Sequence, residues 1–65
     1  MTELEKMIYI LEKSGYRRND DYSVQYGIEV DTITIYKEIM VNWHCYETIE
    51  TNFEYNKMGE LIEIW

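Results

Sequence analysis

At Tyr22 the spacing of apolar residues changes, and this change constrains the fold more than any other feature of the chain. Before it, Leu4, Met7, Ile8 and Leu11 recur at intervals of three and four, the single stripe of an amphipathic helix. After it, Tyr22, Val24, Tyr26, Ile28 and Val30 alternate with Ser23, Gln25, Gly27 and Glu29, the two-residue repeat of a strand with one apolar face. The stripe is narrow, and a helix this short is marginal on its own. It therefore has to cover the apolar face of whatever sheet the rest of the chain builds.

The ends of the helix are marked. Thr2 is a good N-cap with Glu5 three residues on, a capping box. Glu3 and Glu5 face the positive end of the helix dipole, and Lys13 lies in the last turn. Gly15 is the expected left-handed residue beyond the C-terminus. Arg17–Asp21 then reads as a polar connector.

Within the strand region the apolar positions change parity. Ile33 and Ile35 are odd-numbered where the earlier set is even, which predicts a turn or bulge at Asp31–Thr32; Gly27 marks a further bulge or break. Odd parity continues through Ile39, Val41, Trp43 and Cys45, followed by Ile49, Phe53 and Tyr55, while Asn42, His44, Thr48, Glu50, Asn52 and Glu54 fill even positions. Ile35, Tyr36, Ile39, Met40 and Trp43 also fit a helical stripe, but the β-branched and aromatic content favours a strand over residues 35–44. Asn56–Gly59 predicts a tight hairpin turn, and Glu60–Trp65 a final strand. The expectation for residues 1–65 is a single α+β domain: one N-terminal helix packed on a small antiparallel sheet of about four strands.

Size and charge narrow the function classes. Sixty-five residues leave no room for a second domain, a Rossmann unit with a substrate domain, or a barrel. The net charge is −7, unevenly spread: residues 1–19 carry +1, residues 20–65 carry −8. Such a surface opposes direct binding to nucleic acid and to anionic membranes, and it favours a basic partner. No 18-residue apolar run and no secretory signal is evident, and Cys45 is the only cysteine, so the reducing cytoplasm is the expected compartment. Ile, Tyr, Met, Asn, Lys and Phe supply 29 residues against 5 from Gly, Ala, Arg and Pro, a bias towards AT-rich codons that points to a low-GC bacterium, its phage or a mobile element.

No motif for catalysis stands out. His44 and Cys45 are neighbours, which on a strand point to opposite faces and do not share a proton, and the parity of Cys45 places it in the core. One His and one Cys do not make a zinc set, and Asp20–Asp21 lacks the spacing of a calcium loop. The pairs Glu29/Asp31 and Glu50/Glu54 share strand faces, but a fold this small offers little room for the dry pocket that catalytic carboxylates need. Lys13, Arg17 and Arg18 read as a helix C-terminus followed by a solvated loop. No enzyme, cofactor or metal is expected.

What remains is an acidic, aromatic surface. Same-face residues on a strand lie roughly 6.6–6.8 Å apart, comparable to successive phosphates of one DNA strand. Glu29, Asp31, Glu38, Glu47, Glu50 and Glu54 are the candidate charge donors, with Tyr36, Trp43 and Tyr46 as candidate anchors, Trp43 the weakest because its parity also suits the core. The reading is a protein-binding module, of phage or mobile-element type, that inhibits a nucleic-acid-handling host protein by occupying its basic surface as a DNA mimic. The alternative is a small homodimeric structural or assembly protein, in which the aromatics form the seam and the acids keep the chain dissolved.

Overall fold

The computed structural model describes Met1–Trp65. Helix α1 (Glu3–Lys13) is followed by strands β1 (Tyr22–Tyr26), β2 (Asp31–Asn42), β3 (Cys45–Tyr55) and β4 (Leu61–Ile64). The strands form one antiparallel sheet in the order β1-β2-β3-β4. The fold is thus α+β, a helix on a four-stranded meander.

The helix begins where the side chains say it should. The Thr2 hydroxyl accepts from the Glu5 N–H (3.1 Å), and the Glu5 carboxylate accepts from the Thr2 N–H (2.9 Å). The backbone bond from Thr2, and then the one to its side chain, hold the Glu5 carboxyl below its usual range. A second free helix donor, the Leu4 N–H, reaches the Gly59 carbonyl (3.0 Å), and the Glu3 carboxylate accepts from the Leu61 N–H. These bonds tie the first turn of α1 to the β3–β4 connection. At the other end Tyr16 N–H bonds the Leu11 carbonyl and Gly15 N–H bonds that of Glu12, the paired closure of a Schellman motif, with Gly15 at φ 87°.

Leu4 and Leu11 lie over Tyr22, Ile33 and Tyr55, and Met7, Ile8, Val24, Ile35 and Phe53 pack around these five. The Tyr22 hydroxyl donates to Glu12 (3.4 Å), so the phenol at the centre of the core keeps a polar contact with the helix. Burial, reinforced by the Glu12 charge, raises the Tyr22 pKa. Burial also raises that of Tyr55, with Glu3 adding to the effect.

The parity changes have a different origin from the one the alternation implies. β1 stops at Tyr26, and Gly27–Val30 form the turn, closed by a bond from Gly27 N–H to the Val30 carbonyl (3.0 Å). The predicted slip at Asp31–Thr32 is therefore an ordinary hairpin placed just upstream. Tyr22 faces Ile35 and Tyr26 faces Asp31, because an even-numbered loop sets even positions of one strand opposite odd positions of the next. Ile28, read as part of the strand's apolar face, is 97% exposed in the loop.

The β2–β3 hairpin hides its own turn. Residues 35–42 are strand, and Trp43–His44 connect Asn42 to its partner Cys45. A two-residue connection alone would exchange parity, but the register shifts between Met40 and Asn42. The bulge at Val41 restores parity, so odd residues oppose odd residues along the rest of the pair, as in Ile33 opposite Phe53. Continuous odd parity from Ile33 to Tyr55 thus spans two strands. At the last connection Asn56 Oδ1 accepts from the N–H groups of Met58 (2.9 Å) and Glu60 (3.0 Å), and Gly59 takes φ 80°, as the turn residues imply.

β2 and β3 are far longer than their neighbours. β1 pairs with β2 only as far as Ile35, and β4 pairs with β3 only as far as Phe53. Beyond that region, Lys37–Ile49 forms a two-stranded arm of about 20 Å, from six residues at the strand rise, and the molecule reaches 43 Å in its longest dimension. None of the arm belongs to the core under α1. This corrects the placement of Cys45 in the core: its thiol is exposed. Odd parity marks the helix side of the sheet, but the helix ends before the arm begins.

Candidate functional site

The register sorts the candidate residues onto two faces. Tyr36 lies opposite Glu50, Glu38 opposite Thr48, and Met40 opposite Tyr46. With Thr32, Thr34, Asn52 and Glu54 they form the outer face, away from α1. Glu63, opposite Glu54 on β4, joins them. Five of the nine expected residues, Tyr36, Glu38, Tyr46, Glu50 and Glu54, are therefore brought together on one open side of the sheet. That face carries the four carboxylates of Glu38, Glu50, Glu54 and Glu63 and no lysine or arginine.

The spacing of these charges follows from strand geometry. Glu50 and Glu54 are separated by Asn52 on β3, about 13–14 Å from the strand rise, or two same-face steps. Glu38 sits diagonally from Glu50 across the β2–β3 pair. Between the carboxylates, the Thr34 hydroxyl donates to Asn52 Oδ1 (2.7 Å), and the Tyr36 and Ser23 hydroxyls share a bond of 3.1 Å. These bonds order the middle of the face and hold the Tyr36 ring beside β1.

Where the arm leaves the body, the outer face dips into an open groove of about 580 Å³ bordered by Asp20, Asp21, Ser23, Tyr36, Glu38 and Thr48. Asn19 at φ 71° turns the chain into this rim, and the Asp21 carboxylate accepts from the Arg17 N–H (2.7 Å). Arg17 also lies 3.7 Å from Asp20, both largely exposed. The groove extends the acidic character of the outer face towards the α1–β1 connection.

The remaining four expected residues lie elsewhere. Glu29 is in the exposed β1–β2 turn. Glu47 faces the helix side of the arm, opposite Ile39. Trp43 is at the arm's tip, 78% exposed, with its ring 3.6 Å from that of His44 at 36°. Asp31 is 7% exposed at the base of the sheet, and Lys57 Nζ lies 2.6 Å from its Oδ1. As an expected charge donor Asp31 needs correction: its charge is matched inside the molecule, where β2 starts beneath the β3–β4 turn, and is not presented to a partner.

Sequence reasoning missed Asp20, Asp21 and Glu63 as members of the acidic surface. Glu63 was legible in principle, since it alternates with Ile62 and Ile64. Asp20 and Asp21 sit in the connector and reach the groove only through the fold. No group of three or more His, Cys, Asp or Glu side chains is arranged to hold a metal ion, and no helix is long and apolar enough to cross a membrane. The chain matches no protein-family model, no curated protein and no solved structure, so any functional reading rests on this geometry alone.

Proposed function

We propose that the chain is a small acidic protein-binding module whose outer sheet face occupies the basic surface of a nucleic-acid-handling protein. The observation that carries the reading is the outer face itself: four carboxylates, two exposed or half-buried tyrosines and no cation, on a side of the sheet that no helix covers. Glu50 and Glu54 stand two same-face steps apart along β3, about twice the step comparable to successive phosphates, and Glu38 and Glu63 flank them on the neighbouring strands, so the face offers a basic groove several negative charges without any cation between them. Tyr36 and Tyr46 add rigid rings with polar tips, the residue type that anchors protein interfaces. The mechanism is competitive exclusion of nucleic acid, in a phage or mobile-element setting consistent with the codon bias of the sequence.

The experiment is capture on the immobilised chain from lysate of a low-GC bacterium, elution with a salt gradient, and a competition assay on the purified captured protein. The reading expects a protein that loses bound duplex DNA or RNA as the chain is added. It also expects capture to fall steeply with salt and to be lost in Glu38→Lys/Glu50→Lys. A captured protein whose binding ignores both salt and that double reversal would remove the outer face from the mechanism.

A further inference from the structure

The helix side of the arm is a different surface from the outer face, and it does not depend on the proposed function. Just past α1, Ser14, Gly15 and Tyr16 border a shallow cleft with Lys37, and farther along the arm no helix lies over the sheet. Lys37 lies opposite Ile49, and at the next level Ile39 lies opposite Glu47. The four side chains make a checkerboard: the two isoleucines on one diagonal, the lysine and the glutamate on the other. Ile49 is 46% exposed and Ile39 half-buried, although both are β-branched apolar residues on a face with no covering layer. Neither Lys37 nor Glu47 takes part in an ion pair within the chain. The patch is neutral in a molecule of net charge −7, whereas the opposite side of the same arm carries only negative charge.

We propose that this face is the seam of a symmetric dimer, in which the arms of two copies cross steeply, at about 70° from the strand spacings. The checkerboard is a rectangle, about 4.8 Å across the strands and about 6.8 Å along them. A two-fold axis along its isoleucine diagonal maps Ile39 onto Ile39 and Ile49 onto Ile49 of the second copy. The same operation sets each Lys37 over the other copy's Glu47, so both ion pairs form at once. Such a crossing is nearer to the orthogonal than to the aligned class of sheet packing, in which sheets stack at a separation of about 10 Å. That separation matches the thickness of the helix layer, so the second arm continues, beyond Ser14–Tyr16, the layer that α1 begins. Crossing the arms also keeps each body, with its helix, to the side of the other. The outer face cannot serve as such a seam, because two copies would set glutamates against glutamates.

The test is sedimentation equilibrium of the full chain from roughly 10 µM to 1 mM, a range chosen because an interface of this size is at the small end for protein association. The wild-type chain is expected to pass from monomer to dimer within that range. Lys37→Glu and Glu47→Lys, each placing like charges together, are each expected to weaken the dimer at least about tenfold. The double variant Lys37→Glu/Glu47→Lys is expected to restore it. All four residues are outside the core, and circular dichroism checks that each variant folds. Glu38→Lys/Glu50→Lys on the outer face is expected to leave the dimer intact, which separates this seam from the proposed partner surface. A chain that stays monomeric at 1 mM overturns the proposal. So does a dimer that the single reversals leave unchanged, the result expected of edge-to-edge pairing through β1 or β4, or single reversals that the double variant does not repair.

Discussion

Gly59 is the residue on which the helix and the sheet meet. Its φ of 80° disfavours any side chain, and an added Cβ would run into the Cβ, Cγ2 and Oγ1 atoms of Thr2, the helix N-cap. Gly59→Ala is therefore expected to destabilise the fold by about 1–3 kcal/mol, read as a lower urea midpoint. Gly15→Ala is the comparison: φ is 87° there but no atom lies within 4 Å of the added carbon, so only the backbone strain remains and the loss is smaller. Tyr22 tests a second residue-level claim. Its pKa is raised in the fold by burial and by Glu12, so above a pH of about 10 the unfolded chain ionises first. The stabilising contribution is present below the unfolded pKa and declines as pH rises through it. Urea midpoints followed from pH 8 to 11 are expected to fall at the alkaline end, and Tyr22→Phe is expected to flatten that decline.

At the scale of the element, legibility in the sequence depended on whether a signal was local. Thr2, Glu5 and Gly15 define the helix with side chains and backbone freedom that act within one turn, and the Asn56–Gly59 turn is equally self-contained; these could be read directly. The β2–β3 hairpin could not, because its two-residue turn and the Val41 bulge each shift parity by one and their effects cancel. The alternation therefore ran unbroken through a chain reversal. The core placement of Cys45 failed for a related reason, and the core parity that counted against Trp43 as an anchor carried no weight: parity reports which side of a sheet a residue takes, and only the length of the helix decides whether that side is covered. The candidate face was partly legible, since Tyr36, Glu38, Tyr46, Glu50 and Glu54 kept the even parity that placed them together, whereas Asp31 changed role once Lys57 arrived from a distant turn. The pairing of β3 with β4 makes its own prediction. Glu54 and Glu63 are directly opposite, and like charges in that position destabilise a sheet. Glu63→Lys is expected to raise stability by about 0.2–1 kcal/mol, read as a higher urea midpoint.

Across the whole molecule, the body and the arm are separable in energy. The core lies between α1 and the shared part of the sheet, and residues 37–49 contribute nothing to it. Replacing Lys37–Ile49 with a short Asn-Gly turn between Tyr36 and Glu50 is expected to leave a cooperatively unfolding protein with a similar urea midpoint, while removing self-association. The tie between the first helical turn and Gly59 has a further consequence, in time rather than in space. The helix is synthesised before the sheet, yet the carbonyl that receives its Leu4 N–H and the turn that seats its cap lie more than fifty residues later. A short isolated helix is marginal, and closing so long a loop precedes any gain from the contact. The last hairpin therefore sets the moment at which α1 becomes stable, and the helix is expected to stay marginal until the β3–β4 turn has formed.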